Sequence, residues 1–301
     1  MTDGFLVSCI ITTFGRKYSE IVRSITSVLK QNYKSLELIL IDDNGVGSAL
    51  QKDIEKNVRK VKGVKYIPLD GNYGAQVARN TGIRASRGEL IAFLDDDDEW
   101  MSNKISEQVK IFAKEKDVGL IYCKGVYRNI ETGEERAYIA DDVYRDSVTY
   151  RDMLGVDYVG TTTQAMIPRG VFDRVGLFDE SLPARQDYEM WLRISQKYVI
   201  RYVDDKLFVH NIHSGEQISK DPRKVIIGYK TILEKNSAGY RKYPLERINV
   251  LGTIRYNYHL LGQNILAFVY TVKILFYFTL AIFLNPRGAA GKFVRKLRRD
   301  R

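Results

Sequence analysis

Four consecutive aspartates and a glutamate, Asp95 to Glu99, close the apolar run Glu89-Leu-Ile-Ala-Phe-Leu94. Packing this much like charge at the end of a buried strand is costly unless something positive neutralises it. Hard carboxylate oxygens suit Mg2+ or Mn2+ carrying a phosphorylated ligand. A calcium-binding EF-hand loop wants glycine at its sixth position, where Trp100 stands. An aspartyl-phosphate nucleophile belongs after a first strand, whereas this cluster follows a fourth. Two further polar clusters also end apolar runs: Thr12-Thr13 after Phe5–Ile11, and Asp42-Asp43-Asn44 after Leu36–Ile41. Carboxylates accept from ribose hydroxyls or base N–H groups, and a threonine can meet a base edge. Side by side, these strand ends describe a nucleotide cleft. No G-x-G-x-x-G or G-x-x-x-x-G-K loop is present, which assigns the diphosphate to a metal rather than to a helix N-terminus.

Those residues need a sheet to assemble them. Phe5–Ile11 is almost wholly apolar, as a buried parallel strand requires. Ile21, Val22, Ile25, Val28 and Leu29 then recur at helical spacing, and Leu36–Ile41 is a second strand. A lysine-rich helix is expected over 47–60 and a third strand at Val64–Pro68. A small-residue helix should run from Gly74 to Ser86, stopped by Gly88, with Glu89–Leu94 as the fourth strand. The alternation predicts an α/β fold with an open, mostly parallel sheet, whose ligands bind beyond the carboxyl ends of its strands. Further on, a helix capped by Ser102 to about Lys116, a strand Val118–Cys123 and a hairpin of Val126–Ile130 with Glu134–Ile139 are expected. Pro168 fits the first turn of a short helix. Gln186–Lys197 reads as a helix, Val199–Val203 as a strand, and 221–301 as wholly helical.

Five blocks in sequence resemble family 2 glycosyltransferases: Val7–Arg16, Leu40–Asn44, Gly74-x-x-x-Ala-Arg-Asn-x-Gly82, Gly88–Trp100 and Phe178–Arg193. The match runs from about 5 to 219. It implies a GT-A fold, a nucleotide-diphosphate sugar donor, a divalent cation (Mn2+ or Mg2+) and one displacement that inverts the anomeric carbon. By position, the resemblance assigns Thr12 and Asp43 to the nucleoside, Arg79 to a supporting role at the nucleotide, and Asp96 to the neighbourhood of the ribose. Asp95-x-Asp97 matches the metal motif, with Asp97 the direct ligand. His213 matches, better than His210, a family histidine that reaches the metal or diphosphate. Asp187 matches the catalytic base, and Gln186 stands where the family often has glutamate. The implied catalytic domain is 1–220, with a nucleotide-sugar half over about 1–100 and an acceptor half over about 101–220. Residues 221–301 are expected to form a helical extension.

Inverting transfer needs a group to take the acceptor's proton. A carboxylate near a helix start, beside Arg185 and Arg193, is such a base when partly desolvated. The plainer reading makes Asp187 a cap for a helix over 188–197. Trp100 and Trp191 read as packing residues, Trp191 alternatively as a platform for a sugar face. Cys9 and Cys123 sit in apolar runs with no metal or redox spacing.

The chain has 301 residues and a formal charge of +10, but seven basic residues against one acid fall within 285–301. The basic balance is largely a tail property, so no nucleic-acid partner is expected. No signal-peptide pattern precedes the first strand, and a cytosolic main body is expected. Ile265–Leu284 is long enough to span a bilayer. Lys273 near its middle would cost about 2.5–3.5 kcal/mol, and the basic tail of a single span would place the catalytic body away from cytosolic nucleotide sugars. A helix lying in the plane of the inner face of the cell membrane, with the tail on anionic headgroups, resolves the conflict. The alternative is a buried helix at a homo-oligomer interface.

The leading expectation is a metal-dependent inverting glycosyltransferase. It would use a uridine-nucleotide sugar and a glycan or lipid-linked acceptor in cell-surface polysaccharide synthesis. A sugar nucleotidyltransferase would carry a glycine-rich basic loop after its first strand, whereas Thr12–Lys17 has a single glycine. A non-catalytic membrane-docked binding protein has no need of intact Asp43, Asp97 and Asp187.

Overall fold

The first apolar run forms β1 (Val7–Thr13), and the expected alternation follows it: α1 (Tyr18–Leu29), β2 (Leu36–Asp42), α2 (Ala49–Val58), β3 (Val64–Pro68), α3 (Ala75–Ala85) and β4 (Leu90–Asp95). The structure is a computed structural model that describes residues 4–138, 144–212 and 221–284. His213 and the basic tail therefore lie outside the described residues. The chain continues through β5 (Glu99–Trp100), α4 (Lys104–Phe112), β6 (Val118–Asn129), β7 (Glu135–Ala137), β8 (Ser147–Val148) and α5 (Tyr150–Gly155). Next come β9 (Met166–Pro168), α6 (Arg169–Val175), α7 (Gln186–Ser195) and β10 (Val199–Ile212). Four helices follow: α8 (Pro222–Lys235), α9 (Ser237–Lys242), α10 (Pro244–Leu260) and α11 (Asn264–Leu284).

One sheet runs β3-β2-β1-β4-β9-β6-β10-β5. The first four strands are parallel, β9 is antiparallel to both β4 and β6, and β6 and β10 are parallel again. Alternation along β1 sends Val7, Cys9 and Ile11 into a core shared with Ile21, Ile25 and Val28 of α1. Both cysteines are buried there, and desolvation pushes each thiol up to about 12, far from a reactive thiolate.

Several expected boundaries change. Asn103, not Ser102, is the N-cap of α4, which ends at Phe112. The separate strands at 118–123 and 126–130 are one strand, β6, and β10 continues nine residues past Val203 across a bulge at Lys206. Pro168 sits at the N-cap of α6 rather than within its first turn. Ser86 is the C-cap of α3, so Gly88 does not stop that helix. Close approach explains the glycine instead: its N–H donates to Ser8 Oγ at 2.8 Å, and a Cβ there would meet Ser8 N at 2.6 Å and Leu6 O at 2.7 Å. Because backbone cannot step aside, Gly88→Ala should destabilise by about 1–3 kcal/mol in urea unfolding. Gly170→Ala, with open space around it, should change stability by less than about 1 kcal/mol. Equal midpoints for the two variants would refute the crowding argument.

The contacts divide the chain into two units. The first comprises Met1–Val148, Tyr158–Glu180 and Arg193–Ser214, and the second Thr149–Asp157, Ser181–Leu192 and Gly215–Arg301. The expected boundary at 220 falls near the last of these joins, but two earlier segments belong with the C-terminal helices. Within the second unit, Tyr240 donates to Leu154 O at 3.1 Å, Lys235 pairs with buried Glu189 at 2.9 Å, and Arg151 pairs with Glu246 at 3.0 Å. Ala267, Tyr270 and Ala281 form the buried stripe of α11, with Tyr270 packed against Tyr258 of α10.

Candidate active site

Parallel register sets Thr12 opposite Asp95 and Thr13 opposite Asp42, so the three polar strand ends share one rim. Asp42 is locked within the protein: it accepts from Tyr66 Oη at 2.7 Å, Asn44 N–H at 3.0 Å and Asn44 Nδ2 at 2.7 Å. Asp43 accepts from the N–H groups of Tyr73 and Gly74, both at 2.8 Å, at the start of α3. Burial pushes its carboxyl above the usual range, and those two hydrogen bonds pull it part of the way back. Each oxygen keeps a lone pair for a further donor.

The acidic run is partitioned residue by residue. Asp95 accepts from Arg79 Nη2 at 2.8 Å, Thr161 Oγ1 at 3.1 Å and Thr162 Oγ1 at 3.3 Å. Burial would raise its carboxyl, but the charge and hydrogen bond of Arg79 outweigh that and hold it below the usual range. Arg79 itself is buried, and its Nη1 has no hydrogen-bond partner within the protein. Asp96 and Asp97 share Arg16, at 3.0 and 2.6 Å. Burial lifts Asp96 to about 7 despite that guanidinium. Asp98 is fully buried and accepts from Thr163 Oγ1 at 2.7 Å, with His210 Nδ1 3.0 Å away. Burial lowers the basicity of His210, but the hydrogen bond and charge of Asp98 raise it further. His210 thus partners Asp98, while His213 lies outside the described residues. Glu99 accepts from Arg128 at 3.2 Å.

Asp187 belongs to the second unit. It lies in the first turn of α7, one residue inside the helix rather than at its N-cap, and its Oδ1 accepts from Tyr188 N–H at 2.8 Å. Arg185, two residues earlier, is the only non-glycine residue with positive φ among the described residues, at 63°. Such strain costs about 1–3 kcal/mol and gathers at functional sites. Its guanidinium lies 5.2 Å from the ring centre of Tyr229. The guanidinium of Arg193 donates to the carbonyls of Val175, Gly176 and Leu177, closing the end of α6. Trp191 is wholly buried, which removes the sugar-platform reading, and Trp100 packs in the core with Nε1 donating to Thr163 O at 2.8 Å.

Arg16 and the threonines 161–163 were not among the expected site residues. A run of three hydroxyls followed by Gln164 was the available signal, because such a polar run needs partners when buried.

The residues fit a hard divalent cation. The acids follow one another at a strand end, Asp96 and Asp97 share one guanidinium, and the side chain of Asp97 is 23% exposed. Among the described residues no group of three or more His, Cys, Asp or Glu side chains is placed to hold a metal ion by itself. A cation held here would complete its shell with phosphate oxygens and water, as Mg2+-type sites do.

The mostly parallel sheet with its acidic strand-end rim and antiparallel β9 has the GT-A fold seen in solved glycosyltransferases. Two solved structures share it. The mannosyltransferase PcManGT from Pyrobaculum calidifontis, in complex with GDP-Man and Mn2+, matches with a TM-score of 0.63 at 15% identity, over 99% of this chain and 81% of that one. S. aureus TarS 1-349 in complex with UDP-GlcNAc matches at 0.57 and 17%, over 83% and 81%. The family model "Glycosyl transferase family 2" matches residues 8–176. The chain belongs to that family and is a glycosyltransferase. Among curated relatives, the Escherichia coli UDP-Glc:alpha-D-GlcNAc-diphosphoundecaprenol beta-1,3-glucosyltransferase WfgD is 32% identical over 194 residues, 64% of this chain and 70% of the relative. WfaP, of the same described activity and organism, is 29% identical over 236 residues, 76% and 86% respectively.

Proposed function

We propose that this enzyme transfers a hexose from a uridine-nucleotide sugar to a lipid-linked sugar diphosphate, with inversion and with a divalent cation. The observation that carries the reading is the register that sets Thr12 beside Asp95, with Asp43 on the next strand end and Asp96 and Asp97 following. The two Escherichia coli relatives support the donor and acceptor classes. In this reading Asp97 holds the cation, and Asp95, braced by Arg79, fixes the strand end beside it. Thr12, Asp43, Asp96 and Arg79 orient the nucleoside, Arg79 presenting its buried, unpartnered Nη1. The cation supplies charge stabilisation for the departing diphosphate. Asp187 takes the acceptor hydroxyl's proton as the anomeric carbon is attacked from the opposite face.

A thermal-shift screen of UDP, GDP, CDP and dTDP, each with Mn2+ or with chelator, tests the donor. Uridine diphosphate with Mn2+ should raise Tm most, by mass action. A larger shift with another base, or shifts indifferent to chelator, would contradict the assignment.

The same reading places the enzyme at the inner face of the cell membrane. Ile265, Phe268, Phe276 and Phe283 of α11 are 82, 68, 61 and 86% exposed, a costly arrangement in water. The seven basic residues that follow add headgroup attraction of about 1 kcal/mol each, screened by salt. Full-length protein should bind anionic vesicles most tightly at low salt. A chain ending at Asn285 should lose most of that salt dependence, and Phe268→Ser with Phe276→Ser should weaken binding at every salt concentration. Indifference to vesicles, with a change of oligomeric state in these variants, would make α11 an interface between copies.

A further inference from the structure

Arg16 holds two carboxylates at once, Nε against Asp96 Oδ1 at 3.0 Å and Nη2 against Asp97 Oδ2 at 2.6 Å. The other acids of the run take their basic partners from regular elements: Asp95 from Arg79 on α3, Asp98 from His210 on β10, and Glu99 from Arg128 on β6. Arg16 instead comes from the short turn between β1 and α1. That turn is tethered by Gly15, in a left-handed conformation at φ 73°, whose N–H donates to Asn44 Oδ1 at 2.8 Å. A fixed turn carrying a long side chain can move the guanidinium while leaving the rim in place. The guanidinium fork suits carboxylates and phosphates alike.

We propose that Arg16 is the resident counter-charge of the cation site: it neutralises Asp96 and Asp97 in the free enzyme, yields them when the cation arrives with the donor, and then takes the donor's diphosphate oxygens. The proposal rests on the metal-dependent reading above. A guanidinium and a divalent cation repel each other at Asp97, so they compete for it, and the nucleoside competes for Asp96. The diphosphate gives the displaced guanidinium a new partner. Cation and nucleotide therefore each favour binding of the other, a reciprocal coupling.

Calorimetric titration of the full chain with Mn2+ alone, and with UDP in the presence of Mn2+, tests this. Arg16→Gln should bind Mn2+ alone at least about tenfold more tightly than wild type, and UDP with Mn2+ at least about fivefold more weakly, within the usual range of coupling. In chelator it should also melt lower than wild type, and Mn2+ should restore it. Arg16→Lys, which keeps the charge and loses the fork, should fall between the two and carries the comparison if Arg16→Gln does not fold. Equal Mn2+ affinity in wild type and both variants, with binding lost in Asp97→Asn, overturns the proposal and leaves the metal site standing. So does undiminished UDP affinity. Absence of Mn2+ binding in every protein, with UDP binding indifferent to chelator, overturns the metal reading and the proposal with it.

Discussion

Asp97→Ala should reduce the transfer rate by at least about 10³-fold, at the upper end for removal of one group that stabilises developing charge. The fold should survive, because what Asp97 contributes to the framework is its backbone: its carbonyl accepts from Asn211 Nδ2 at 2.6 Å, and that contact remains. Its side chain meets Arg16, which keeps Asp96. Unchanged urea stability with loss of the Mn2+-dependent part of nucleotide binding is the expected pair of results. Full turnover by Asp97→Ala in chelator would place the charge stabilisation elsewhere.

Asp187→Asn should lower the rate by about 10²–10⁴-fold, the range for a lost general base, while leaving donor affinity near normal. The substitution keeps an oxygen to accept the Tyr188 N–H bond and so preserves the start of α7. Its effect then reports proton transfer rather than folding. Rate and donor KM separate the two roles: a base loses rate, whereas a merely structural residue loses neither. Normal transfer by Asp187→Asn would reduce the residue to a helix-start acid and require another base.

The strand ends were legible because strands buried on both faces are continuous apolar runs, and each of these ends abruptly in polar residues. The parallel order then made Thr12, Asp43 and Asp95 neighbours, which the observed register bears out. Strand β9 was not legible: three residues carry no periodicity, and Pro168 reads equally well as a helix start. The later part of β10 was hidden by Asp204-Asp205-Lys206, an exposed bulge that interrupts the apolar pattern. The bonds from Arg193 to the carbonyls of 175–177 were not legible, because spacing along a helix does not say which neighbouring element a long side chain reaches. Arg16 stayed silent for a related reason: a lone arginine in a turn looks solvated until the sheet brings the acidic run alongside it.

One reaction separates inverting, metal-dependent transfer from its alternatives. The 301-residue chain should be incubated with a uridine-nucleotide hexose such as UDP-glucose and a lipid-linked sugar diphosphate, with Mn2+ or with chelator, and the anomeric configuration of the product read by NMR. A lipid-linked disaccharide with a β linkage is expected, formed with Mn2+ and not with chelator. An α-linked product, transfer undiminished by chelator, or pyrophosphorolysis of UDP-glucose in place of sugar transfer would contradict that expectation.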